Sequence, residues 1–91
     1  MSSKIDELRQ KIDLIDDRIK ALFEQRMMLA LDIGKIKSEE NLPVQDPVRE
    51  TEVISRLVAN QDGEMAEHTK ALFAAIFKIS RSCQARKLGL Q

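Results

Sequence analysis

The first forty residues carry apolar side chains at a seven-residue interval. Ile5, Ile12, Ile19 and Ile33 form one row; Leu8, Ile15, Leu22, Leu29 and Ile36 form a second, offset by three. Rows spaced in this way are the a and d positions of a heptad, which share one side of an α-helix. The pattern predicts one uninterrupted helix over about 3–40, a rod about 54 Å long at the usual rise per residue. Ser2 or Ser3 can cap it, and Asp6 and Glu7 suit the positive end of its dipole. Gly34 lies inside it, either to let another segment approach closely or as a tolerated residue costing about 1 kcal/mol against alanine. One place breaks the rule. The first row calls for an apolar residue at 26, and the chain has Arg26 there.

"SEENLPVQ", residues 38–45, interrupts the heptads and reads as a loop. A second helix is predicted over 46–60, with Asp46 as N-cap, Pro47 in the first helical position, and a short apolar face of Val48, Ile54, Leu57 and Val58. "DG" at 62–63 reads as its end. A third helix is predicted over 64–87, with Leu72, Phe73, Ile76, Phe77 and Ile79 as its apolar face and Gly89 beyond it. Strand alternation, internal repeats and low-complexity tracts are absent. The expected fold is all-α: a single domain over 1–91 with three helices, the N-terminal one very long. Two shorter helices cannot cover such a rod, and its half nearest the N-terminus would stay bare. A second copy packed antiparallel along it solves this, so an intertwined antiparallel homodimer is expected.

Composition sharpens the picture in three ways. Fifteen basic and fifteen acidic side chains cancel, and neither a basic stripe nor a basic amphipathic face appears, which argues against nucleic-acid and membrane-surface roles. No apolar run is long enough to span a bilayer, and no signal-peptide segment opens the chain. The one cysteine, Cys83, cannot form an internal disulfide, which points to a reducing compartment and a cytoplasmic protein.

Candidate chemistry comes from polar residues placed where the apolar stripes should be. Lys37 follows Arg26 by eleven residues, about three turns, so the two lie within ~20° of each other around the first helix. Glu50 shares a face with Ile54, Leu57 and Val58. On the third helix the face Phe73, Ile76, Phe77 continues into Ser80 and Gln84. Taken singly, each has a structural explanation. Arg26 can act as a register device or a rim residue that snorkels, Glu50 can pair with Arg26, Ser80 can bond back to its own helix, and Gln84 can be solvated. Taken together, two cations and one carboxylate leave an interior with excess positive charge, and buried charge needs a partner. A bound anion fits that need. Arg9 precedes Arg26 by seventeen residues, about 25 Å along the rod, too far to join it within one chain. In an antiparallel dimer with its two-fold axis near residue 20, the partner's Arg9 arrives level with residues 26 to 37.

"LRQKID" at 8–13, Arg26, "IGKIK" at 33–37, "PVQDPVRE" at 43–50 and "ISRSCQ" at 79–84 resemble, in order and spacing, the all-helical bacterial chorismate mutases of the AroQ type. The resemblance covers nearly the whole chain. It implies three helices per chain, dimers interlocked by the long first helix, and conversion of chorismate to prephenate in phenylalanine and tyrosine biosynthesis without metal or cofactor. It implies a pocket of Arg9 from the partner subunit, Arg26, Lys37, Asp46, Arg49, Glu50, Ser80 and Gln84. In that pocket Lys37 and Gln84 act on the ether oxygen and the others bind the dicarboxylate. His68 falls off the pocket face, and Cys83 points away from the Ser80–Gln84 line. Two alternatives remain at this stage: an isochorismate-pyruvate lyase on the same scaffold, and a non-catalytic helical dimerisation or regulatory module. Such domains also occur fused to other enzymes of the route, so the chain can be a free-standing enzyme or part of a longer one.

Overall fold

The computed structural model describes residues 3–87 and 89, and these form three helices with no strand among them: α1 (Lys4–Glu39), α2 (Pro47–Val58) and α3 (Gly63–Lys87). The molecule is a rod with a short arm, 58 × 28 × 18 Å. Ser3 is the N-cap of α1, and the candidate cap Ser2 lies outside the described residues. Asp6 N–H donates to Ser3 Oγ at 3.1 Å and Ser3 N–H to the Asp6 carboxylate at 3.4 Å, a reciprocal capping box.

The other end of α1 is closed by Asn41, the one described non-glycine residue with positive φ, at 58°. Leu42 N–H reaches back to the Lys37 carbonyl at 2.7 Å and Asn41 N–H to the Ser38 carbonyl at 3.2 Å. This is a Schellman closure, with asparagine in the left-handed place usually taken by glycine. It turns the chain sharply at Lys37. Asp46 then caps α2, accepting from Arg49 N–H at 3.1 Å, with Pro47 in the first turn.

The Asp62–Gly63 pair has a role different from the one expected. It opens α3 rather than ending α2, which closes earlier, at Val58. Asp62 Oδ1 accepts from Met65 N–H at 3.0 Å and its carbonyl from Ala66 N–H at 2.8 Å, so the aspartate works as an N-cap. The apolar faces also differ in detail. On α2 the buried residue is Val53, three beyond Glu50, whereas Val48 points outward and is 70% exposed. On α3 Phe77 is buried and packs edge-on against Phe73 with ring centroids 6.0 Å apart, whereas Leu72 and Ile79 lie on an open flank.

α3 packs against both α1 and α2, and those two share no helix–helix contact. α3 covers the α1 face that runs through Phe23, Met27, Ala30 and Gly34, beside the heptad seam rather than on it. The seam therefore stays open along its whole length, from Ile5 at 60% exposure through Leu22 and Leu29 to Ile36 at 52%. The bare stretch is longer than the N-terminal half expected. Among the described residues the buried apolar core is Val53 and Phe77 alone, and beside them two polar residues are equally buried, Ser80 and Gln84. No helix of the described residues is long and apolar enough to cross a membrane.

Candidate active site

Because α1 and α2 are held apart on α3, a cleft remains between them. It has a volume of about 310 Å³ and takes its lining from all three helices and the loop before α2. Seven of the eight candidate residues line it: Arg26, Lys37, Asp46, Arg49, Glu50, Ser80 and Gln84. Arg9 does not. It sits on the far half of α1, 73% exposed, with Asp6 as its nearest carboxylate at 4.0 Å.

Arg26 is held on two sides. Its Nη1 donates to Ser80 Oγ at 3.1 Å, and its guanidinium carbon lies 5.5 Å from the centroid of the Phe77 ring, within cation–π range. Ser80 thus turns toward α1 rather than back onto its own helix, and its hydroxyl faces Met27 Sδ at 3.8 Å. Lys37 is placed by the α1 closure. The loop that Asn41 bends back brings the Val44 carbonyl to 3.1 Å from Lys37 Nζ. That contact anchors one of the ammonium's three protons. Among the described residues neither Arg26 nor Lys37 forms an ion pair.

Gln84 is fixed by a close approach of two helices. Its Nε2 donates to the Ala30 carbonyl at 2.6 Å. A Cβ added at Gly34, one turn further along α1, would stand 2.9 Å from Gln84 Cγ and 3.3 Å from its Cβ. Of the two readings left open for Gly34, the structure supports close approach: any side chain there would push Gln84 out of place. The amide keeps a second N–H beyond the one given to Ala30.

Glu50 pairs with Arg81, not with Arg26 and not with Arg49, which instead lies 3.8 Å from Glu52. Arg81 also lines the cleft and is absent from the candidate set drawn from the sequence. The signal was there: Phe77, Ser80, Arg81 and Gln84 follow the i, i+3, i+4, i+7 spacing of one helix face. Four cations and two carboxylates line the cleft, a net charge of +2, with apolar walls from Leu29, Ile33 and Val53. Low-polarity walls strengthen the field those cations present to a small anion. His68 is an exposed residue beside Glu64, and Cys83 is a half-buried free thiol outside the cleft lining.

Comparison with known proteins adds an independent line. The family model described as chorismate mutase type II matches residues 8–85. A bifunctional chorismate mutase/prephenate dehydratase of Aquifex aeolicus is 44% identical over 55 residues, which is 60% of this chain and 15% of that one. A chorismate mutase of Methanocaldococcus jannaschii is 40% identical over 57 residues, 63% of this chain and 58% of the other. The chain thus spans only part of the curated relatives it matches. Among solved structures, a chorismate mutase (form I) from Thermus thermophilus superposes with a TM-score of 0.79 at 35% identity, covering 86% of this chain and 99% of that one.

Proposed function

Because the chain belongs to the chorismate mutase type II family, we propose that it converts chorismate into prephenate, a step in aromatic amino-acid biosynthesis. The observation that carries the reading is the gathering of Arg26, Lys37, Glu50, Ser80 and Gln84 around one cleft of about 310 Å³. That size suits a compact small molecule, and its two unpaired cations suit a dianion.

The reaction is an intramolecular Claisen rearrangement. A C–O ether bond breaks as a C–C bond forms, and neither a nucleophile nor a proton transfer is required. The protein has to supply geometry and charge. Arg26, steadied by Ser80 and the Phe77 ring, grips one carboxylate, and the partner's Arg9 grips the other across an antiparallel dimer. The bound form then holds the two reacting carbons together. Lys37 and the second N–H of Gln84 donate to the ether oxygen as negative charge grows on it. Each is already tethered, to Val44 and Ala30, so little reorganisation accompanies the charge development. Glu50 and the backbone near Asp46 receive the ring hydroxyl, and Arg49 adds positive potential at the cleft edge. A rate gain of ~10⁶ needs about 8 kcal/mol. Two preorganised donors at about 3 kcal/mol each, with conformational restraint, reach that figure.

The dimer belongs to the same proposal. Among the described residues, a core of two buried apolar side chains is too small to fold a chain of this length alone. A second copy laid antiparallel along the open seam covers the stripe and brings Arg9 to the partner's cleft. The reading places the enzyme in the cytoplasm, where a free thiol such as Cys83 persists. The test is direct: incubate the purified protein with chorismate and, separately, with isochorismate, and identify the products. Prephenate from chorismate supports the proposal. Pyruvate released from isochorismate, with chorismate untouched, overturns it in favour of the lyase, and no product from either overturns it in favour of a non-catalytic module.

A further inference from the structure

Arg81 is the one charged residue of the cleft that has no part in the mechanism above. It reaches from α3 across to the first turn of α2, where its Nη1 meets Glu50 Oε2, and both side chains are partly buried. The pair, with Phe77, also borders a second groove of about 450 Å³ on the side of Pro47, Thr51 and Lys70. The pair therefore stands between the two grooves, and the ion pair with Arg81 is the contact the structure gives the Glu50 carboxylate.

The electrostatics of the cleft raise a problem at this wall. A dicarboxylate entering it meets Arg26 and Lys37 on the α1 side and a carboxylate, Glu50, on the α2 side. Asp46 is engaged in capping α2, so Glu50 is the anion that most directly opposes binding. An unpaired Glu50 would repel the ligand and would also turn freely toward the second groove. A guanidinium behind it addresses both, because it offsets the charge and its planar fork fixes the carboxylate's direction.

We propose that Arg81 is a positioning residue: it holds the Glu50 carboxylate on the cleft wall and cancels its charge, so that a dianion can bind beside it. The proposal rests on the mutase reading and extends it. Arg81 acts on binding, through Glu50, and not on the breaking bond.

The experiment is steady-state kinetics on chorismate for the full chain and three variants. Arg81→Met keeps the stem and removes the charge. It should raise KM about tenfold with kcat within about threefold, the pattern of lost binding common to ground and transition states. Arg81→Lys, which restores a cation without the fork, should recover part of that loss. The double variant Arg81→Met/Glu50→Gln is the discriminating one. With the unpaired negative charge gone, its KM should fall back at least about threefold below that of Arg81→Met alone. If Arg81 were only a staple between α2 and α3, removing both partners would be no better than removing one. A double variant that binds no better than Arg81→Met, or an Arg81→Met variant that loses kcat with KM unchanged, overturns the proposal while leaving the mutase reading intact. A wild-type chain inactive on chorismate overturns the mutase reading, and this proposal falls with it.

Discussion

At the scale of single residues, the cleft works through side chains that are already tied down before any ligand arrives. Lys37 and Gln84 illustrate what that implies. Lys37→Ala should lower kcat by about 10²–10³ with KM changed only severalfold, the mark of an interaction made mainly in the transition state; near-normal turnover would remove Lys37 from the ether oxygen. Gln84→Glu is a sharper test because Gln84 has two N–H groups and uses one on the Ala30 carbonyl. A protonated carboxyl has one proton to give and an ionised one has none. Activity should therefore be low at neutral pH and rise as pH falls through the folded pKa of the new carboxyl, above the ordinary glutamate value of about 4.3, without reaching the wild-type level. Stability should follow the same direction. The introduced carboxyl, when protonated, can donate to Ala30, so folding raises its pKa above the unfolded value. The stabilising contribution is then complete below the unfolded pKa and is lost as pH rises through the folded one. A flat pH profile in both kcat and Tm would count against the donor role. The inward placement of Arg26, Lys37, Glu50, Ser80 and Gln84 was legible in the sequence because each interrupts or extends an apolar row. Arg81 shares the helical spacing of Phe77, Ser80 and Gln84, but its role was not legible, because a charge beside Ser80 reads as solvated until its partner on another helix is known.

At the scale of elements, the cleft depends on how closely α3 can seat on α1. Gly34 sets that distance. Gly34→Ala would gain up to about 1 kcal/mol of helix propensity and lose about 1–3 kcal/mol by overpacking, because the new Cβ falls 2.9 Å from Gln84 Cγ, close to the root of that side chain. The expected result is a Tm lower by up to about 8 °C together with reduced kcat, as Gln84 is pushed off its donor position. A variant with raised Tm and unchanged kcat would assign Gly34 no role in the approach. The element boundaries show where sequence patterns stop being informative. The long heptad run defines α1 well. Asp62–Gly63 has the same composition as a helix end and as a helix start, and only the bonds from Met65 and Ala66 decide between them. Asn41 is similar: its neighbours mark a loop, but its left-handed backbone is a property of the closure that places Lys37. Val53 was hidden by its neighbours, since Val48 and Ile54 suggested an apolar stripe one step round the helix from the buried one.

At the scale of the whole molecule, the open seam of α1 and the isolation of Arg9 are one problem. The apolar rows from Ile5 to Ile36 have no cover among the described residues of the single chain. Of the cleft's arginines, Arg49 lies beside Glu52 and Arg81 beside Glu50, which leaves Arg26 as the arginine without a carboxylate and a second ligand carboxylate without one of its own. A two-fold antiparallel partner resolves both, and the arrangement can be tested without a structure of the dimer. Arg9→Ala and Lys37→Ala chains should each be nearly inactive. When the two are unfolded together in equal amounts and refolded, half of the dimers are mixed. In a mixed dimer, one cleft combines Lys37 of the first chain with the partner subunit's Arg9 of the second chain and is intact; the other lacks both. Activity should return to about a quarter of the wild-type value per cleft, as a closed two-fold assembly requires. If Arg9 served the cleft of its own chain, every cleft in the mixture would lack one of the two residues and no activity would return. Exchange itself is checked by tagging one variant and recovering the other with it, so a silent mixture with verified mixed dimers decides against the shared cleft.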